Sequence, residues 1–192
     1  MKKFFIASCA IVLFLHANAQ KMGTVMDIRD GQVYKTVEIG NKIWMAQNLN
    51  FQTRGSWCYL NEDDNCRKFG RIYTWNAVMD GQTQDKAQGI CPDGWHVPTD
   101  DDWLALTTEY NKSKDLFEGG VSGFNMPLAG CRFPDGKFDF MGKVATYWTS
   151  TIDSSNSKFV FTRYAYSDSK SKPLTSYSTN KTYGQYLRCI KN

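Results

Sequence analysis

Histidine is nearly missing from this chain: of 192 residues only His16 and His96 carry an imidazole, and His16 falls in a leader that the sequence marks for removal. A zinc centre, or a Ser-His-Asp or Cys-His mechanism, would have to be built on His96 alone, which all but excludes zinc. The neighbours Trp95, Val97 and Pro98 predict an extended, partly buried segment, so His96 is expected to be a hydrogen-bonded structural residue. A phosphate cradle is also absent. The glycine-rich stretch GGVSG at 119–123 lacks the Gly-Lys-Ser/Thr ending that seats a phosphate on a helix N-terminus, and it reads as a loop. Nor is there a large excess of one charge. Lys and Arg number 23 against 19 Asp and Glu, and the net +4 falls to about +2 without Lys2 and Lys3, which gives no electrostatic case for nucleic acid.

Long apolar runs are lacking except at the start. MKKFFIASCAIVLFLHANAQ places two lysines before an apolar run from Phe4 to Leu15 and ends in the small-x-small triplet Ala17-Asn18-Ala19, the order of a secretory signal with cleavage after Ala19. The run is too short to span a bilayer. Acylation at Cys9 is disfavoured, because only Phe4 to Ser8 separate that cysteine from the lysines. No later run of spanning length occurs, so the expected product is an exported chain without a transmembrane segment, periplasmic, on the outer cell surface or extracellular. Removing 19 of 192 residues leaves 173, the size of one domain with a real core, here residues 20–192.

Aromatics, by contrast, are plentiful. Trp44, Trp57, Trp75, Trp95, Trp103 and Trp148 all follow the leader, and most should be core. Five cysteines remain: Cys58, Cys66, Cys91, Cys131 and Cys189. In an oxidising compartment disulfides are the default, and five choices of orphan times three pairings of the rest give 15 arrangements. Cys58 and Cys66 bracket YLNEDDN, whose turn-forming centre lets the chain double back, so this pair stands first.

Residues 24–49 hold three β-rich runs divided by Asp30-Gly31 and Gly40-Asn41, which predicts two successive tight hairpins. IYTWNAVMD at 72–80 has helical spacing, with Thr74 as cap and Gly81 as stop. A second helix is predicted from Thr99, with Asp102 completing a box-like cap and Asp100 to Asp102 facing the positive end of the helix dipole. The three aspartates thus have a helical explanation, and the spaced ligands of a calcium loop are absent. VATYWTST (144–151), KFVFTRYAY (158–166) and YGQYLRCIK (183–191) predict late strands, joined in part by a long polar loop from Ser167 to Thr182.

The stretches DGQVYKTVEIGNKIWMAQNLN, FGRIYTW, CPDGWHVPTDDDW, YWTST and YLRCIKN, in this order, resemble the Fibrobacter succinogenes major paralogous domain family of exported bacterial proteins over about residues 25–192. HVPTDDDW also resembles the helix start of formylglycine-generating-type domains. The resemblance implies an α+β, C-type lectin-like fold: antiparallel strands in which the N- and C-terminal ones pair, two flanking helices, and long polar loops on one side. It further implies a Cys91–Cys189 bridge and an unpaired Cys131. Chemistry does not carry over. The Glu-Pro-Asn, Gln-Pro-Asp and Trp-Asn-Asp triplets of calcium-dependent lectins are missing, and Cys189 is the only late cysteine where the copper-binding oxidases need two.

Three function classes follow. The first is a non-catalytic binding or adhesion module without cofactor or metal, taking a glycan or a cell-envelope protein, with contacts expected from Trp57, Tyr59, Tyr177 and Asn180. The second is a structural part of an envelope assembly. The third is a hydrolase working through carboxylates such as Asp63, Asp64 or Asp139. The plainer alternative for Trp57 is packing on the disulfide, and for the late loop simple solvation. The binding module is the expected class.

Overall fold

Gly40 takes the left-handed conformation that lets the chain reverse within two residues, so Ile39 faces Lys42 and strands β2 (Val33–Ile39) and β3 (Lys42–Met45) form a tight hairpin in the computed structural model, which describes residues 20–192. The predicted signal segment lies outside the described residues. The first predicted hairpin, between β1 (Met22–Met26) and β2, is wider than a tight turn. The buried Asp27 accepts from Arg29 Nε at 2.8 Å and from its Nη2 at 2.6 Å, and satisfying that carboxylate takes a six-residue loop. Burial opposes the charge on Asp27, but the Arg29 hydrogen bonds win and hold the carboxyl below the ordinary range.

Strand β3 has a second neighbour from the far end of the chain. Ile190 of β12 (Ile190–Lys191) pairs with Trp44, and β12 pairs on its other side with β6 (Trp95–His96), giving a five-stranded antiparallel sheet in the order β1-β2-β3-β12-β6. A second sheet has the order β11-β10-β9, from Thr175–Asn180, Phe159–Tyr166 and Val144–Ile152. Two hairpins complete the strands, β4 (Ser56–Trp57) with β5 (Ile72–Tyr73) and β7 (Ala129–Arg132) with β8 (Phe138–Met141).

Two strand expectations need correction. The run 183–191 is a strand only at Ile190–Lys191; before that, Gly184 bridges to Arg132, Gln185 to Tyr73 and Tyr186 to Tyr147. This segment threads between elements and is buried from Gly184 to Ile190, so its backbone finds a different partner at almost every step. The polar loop 167–182 contains β11, whose Ser/Thr-rich sequence hid a strand because five of its six residues are not buried.

The helices number four among the described residues instead of two. Thr74 caps α2 (Trp75–Met79) by accepting from Ala77 N, and the helix ends at left-handed Asp80, one residue before the expected stop. Thr99 and Asp102 form the reciprocal capping box of α3 (Asp100–Glu109). The unpredicted ones are short: α4 (Ser113–Leu116) and α1 (Asp63–Phe69), the latter beginning within the stretch read as a turn. Cys58 is bonded to Cys66 across the start of α1, with Cα atoms 4.9 Å apart. A second disulfide joins Cys91 to Cys189, while Cys131 is free and buried. Burial pushes its thiol up to about 11. No helix among the described residues is long and apolar enough to cross a membrane.

Five of the six tryptophans are buried. One core cluster gathers Trp44, Trp103, Phe124 and Tyr147, with Trp44 and Trp103 ring centroids 4.9 Å apart. The other gathers Trp75, Trp95, Trp148, Met45 and Leu187.

A candidate ligand-binding groove

The alternation of β10 decides which side chains meet solvent. Its register with β11 sets Thr162 opposite Tyr177 and Val160 opposite Thr179, so Thr162, Tyr164 and Tyr166 share one face with Tyr177 and Thr179. Arg163 points to the other face, where its Nε donates to Asp100 Oδ1 at 2.8 Å and its Nη2 approaches Oδ2 at 2.6 Å. Ser176 adds a hydrogen bond to the same carboxylate at 3.0 Å. This clamp to the first residue of α3 fixes the sheet and turns the tyrosines outward.

On that outer face Tyr177 meets Tyr164 edge to face at 5.3 Å, and Tyr164 stacks with Tyr166 at 6.3 Å. With Phe159, Asn180 and Tyr183 they line a shallow groove of about 340 Å³. Tyr166 is 39% and Tyr177 46% exposed, enough ring to receive a partner. The aromatic band runs on through Tyr183, which packs on Phe133 at 5.6 Å, and Phe133 on Phe140 at 5.9 Å. Polar groups are few and directed. Asn180 Oδ1 already accepts from Thr182 N and Oγ1, leaving its Nδ2 as donor. Tyr164 Oη accepts from Gln185 Nε2 at 3.1 Å and lies 3.4 Å from Thr179 Oγ1. Burial pushes the Tyr164 phenol up to about 12, against the opposing pull of its hydrogen bond with Thr179, so it stays a neutral hydroxyl at physiological pH.

Of the four residues singled out in the sequence, Tyr177 and Asn180 meet in this groove, and Trp57 and Tyr59 are not among its lining. Tyr59 is 6% exposed and packs on Phe138 at 5.3 Å, so as a ligand contact it is corrected to a core residue. Trp57 is half-buried, and its ring is covered by the Arg132 guanidinium at 3.9 Å rather than left open to a sugar. Phe159, Tyr164, Tyr166 and Tyr183 were missed. The period-two pattern of KFVFTRYAY held the signal for the two tyrosines of β10, but it acquires meaning only once β11 is known to be a strand.

The stretch CPDGWHVPTDDDW resolves into a buried polar knot. Asp102 accepts from Thr99 N at 3.0 Å, Thr99 Oγ1 at 2.8 Å and Lys42 Nζ at 2.9 Å, and lies 3.4 Å from His96 Nε2. Burial works against its charge, yet the hydrogen bonds from His96, Thr99 and Lys42 prevail and hold the carboxyl well below the usual carboxylate range. His96 Nδ1 is matched to Asn192 Oδ1. The aspartates do more than start a helix: Asp100 holds Arg163, Asp102 holds Lys42 and His96, and Asp101 alone of the three is exposed. Asp63 and Asp64 stand on the exposed first turn of α1, where Asp64 pairs with Arg67, and Asp139 is exposed on β8. Among the described residues no three His, Cys, Asp or Glu side chains converge as a metal ion would require.

Residues 37–121 match the model of a family described as Fibrobacter succinogenes major domain, a span that runs from β2 to just past α4. No curated protein and no solved structure matches the chain.

Proposed function

We propose that the chain, whose residues 37–121 match the Fibrobacter succinogenes major domain family, is an exported, non-catalytic binding module of the cell surface that engages a glycan through the tyrosine groove of β10 and β11. The observation that carries the reading is a set of partly exposed tyrosine rings held on a sheet that the Arg163–Asp100 clamp makes rigid. Such rings offer apolar faces to sugar rings, while Asn180 Nδ2 and the phenol hydroxyls hydrogen-bond to sugar hydroxyls. Two disulfides suit an oxidising compartment, in keeping with a leader cleaved after Ala19 and one mature domain from Gln20 on. The pairing of β3 with β12 fits a C-type lectin-like arrangement in which strands from opposite ends of the chain close one sheet.

A glycan array and a pull-down from envelope extract, each with and without chelator, test the proposal. We expect chelator-insensitive retention of a glycan, weakened about three- to tenfold by Tyr177→Ala, the factor that one aromatic contact supplies. Retention that Tyr177→Ala leaves intact would remove the groove from the account. Turnover of a glycan or peptide by the purified protein would replace the binding module with an enzyme.

A further inference from the structure

Strand β1 is an edge without a guard. It pairs with β2 over all five residues, Met22 to Met26, in an unbroken register, and among the described residues nothing pairs with its other side. Sheet edges are ordinarily protected by lysine, proline or a bulge, and the sequence MGTVM has none of these. The edge of β11 is better defended. Lys170, Lys172 and Pro173 precede it, Ser176 and Ser178 are tied to Asp100 and Asp153, and Asn180 O already accepts from Tyr183 N.

The backbone of β1 is directed outward at alternate residues. Lys21 O accepts from Glu38 N at 2.9 Å and Asp27 N donates to Gln32 O at 2.8 Å, so the odd-numbered residues turn their polar groups to β2. The N–H and C=O of Met22, Thr24 and Met26 therefore point away from the sheet. This row is complementary to itself. A two-fold axis at Thr24 sets Thr24 opposite Thr24 and Met22 opposite Met26 of a second copy, and each such pair exchanges both of its N–H···O bonds.

The side chains fit the same axis. Met22, Thr24 and Met26 share a face with their partners on β2, where Met26 and Val33 face each other and are each 58% exposed, and Met22 is 49% exposed. Across the axis Met26 lies against Met22 of the second copy, an apolar cross-strand pair at both ends of the joint. The apolar surface continues beyond the strand: a Cβ on Gly123 would meet Met22 Sδ at 3.2 Å, and Val121, two residues earlier, is 74% exposed. Charge does not oppose the contact. Lys21 is paired with Glu38 at 3.0 Å and Asp27 with Arg29 at 2.6 Å. The Lys35 positions of two copies are about 14 Å apart, three strand spacings, which exceeds the screening length of about 8 Å.

We propose that the protein forms a two-fold dimer in which β1 pairs antiparallel with β1 of a second copy about Thr24, joining two five-stranded sheets into one. A joint of this length is small beside the about 800 Å² per partner of a standard interface, so the association is reversible and depends on concentration. A dimer also presents two tyrosine grooves, which on the reading above lets one particle hold a polymeric glycan at two points.

Sedimentation velocity of the purified protein from about 5 to 500 μM, the range for a small interface, should show monomer passing to dimer. Thr24→Pro removes an N–H that faces away from β2, a place where an edge strand tolerates proline, so near-ultraviolet dichroism should stay as in the parent while association weakens about tenfold or more. Ser178→Pro, the corresponding change on the edge of β11, should leave association unchanged. Thr24→Cys would bring two Cα atoms to about 5.5 Å across the axis and should oxidise to a linked dimer, whereas Met26→Cys, which faces Met22 and not itself, should not. Monomer at every concentration, association that Thr24→Pro leaves intact or that Ser178→Pro abolishes, or cross-linking by Met26→Cys in place of Thr24→Cys would each overturn the proposal.

Discussion

In the five-stranded sheet, β12 is only two residues long, yet it is held on both sides by β3 and β6 and tied covalently from Cys189 to Cys91. In the three-stranded sheet, β11 is six residues long, pairs on one side with β10 and leaves its other edge unpaired among the described residues. The contrast separates two ways of placing polar groups. Beside β12 the fully buried Arg188 is held by Asn48, Phe124 and Asn125, residues from distant parts of the chain. The tyrosine groove sits at the open side of a sheet whose β9 is buried and bonded to Tyr186 and Pro98, and it presents rings on a face that remains accessible.

The sharpest way to break the contrast is to cut the covalent ties. Opening Cys91–Cys189 by Cys189→Ser releases a loop of about 99 residues and should cost ~4.7 kcal/mol, whereas Cys58→Ser opens a loop of about nine residues and should cost ~2.6 kcal/mol. Urea unfolding of both variants reads the difference. Equal costs would show that the long bridge adds nothing to the closure of the first sheet.

A smaller effect tests the polar knot beside that sheet. Asp102→Asn should cost ~1.5–3 kcal/mol at neutral pH, as charge-assisted hydrogen bonds do, and Thr99→Ala ~1 kcal/mol as a lost cap. Because the carboxyl of Asp102 is lowered in the folded state, its contribution is present above its unfolded value near pH ~3.9 and lost as the pH falls below that. The gap between parent and Asp102→Asn should therefore narrow from pH 6 to pH 3, and a gap that widens on acidification would contradict the assignment. Asp101→Asn, on an exposed residue, serves as the control near zero.

The smallest effect belongs to the open sheet. Tyr177→Ala should change stability by less than ~0.5 kcal/mol, because the residue is half exposed and outside the core clusters. Backbone amides on the outer edge of β11 should exchange with solvent far sooner than those of β12. Protection of β11 comparable to that of β12 would mean that a partner already covers the edge, for instance a second copy of the chain.

How much of this was legible beforehand follows from the same physics. Local signals were read well: Gly40-Asn41 for the tight hairpin, Thr74 and Thr99 as caps, and the aromatic and β-branched runs that make β9 and β10. The resemblance of CPDGWHVPTDDDW and YLRCIKN to a known family also anticipated that Cys91 lies beside Cys189. What escaped depended on partners far along the chain. Residues 183–191 read as a continuous strand because of their aromatic and β-branched content, but Gly184, Gln185 and Tyr186 each bridge to a different element. Ser167 to Thr182 read as a loop because β11 hides little apolar surface. Tyr59 looked available because it is an aromatic beside the polar stretch NEDDN, although its ring packs on Phe138 in the interior. The charge on Arg188 could be read directly, but its lack of a carboxylate could not, since that is a statement about every other acidic residue.

The position of β12 also sets a schedule. The space between β3 and β6 can be filled only after Ile190 has been made, on the order of ten seconds after β3 at ~5–20 residues per second, so the largest sheet among the described residues stays open while the residues between them are synthesised. Until then the chain lacks both its interior strand and the cysteine that would lock it.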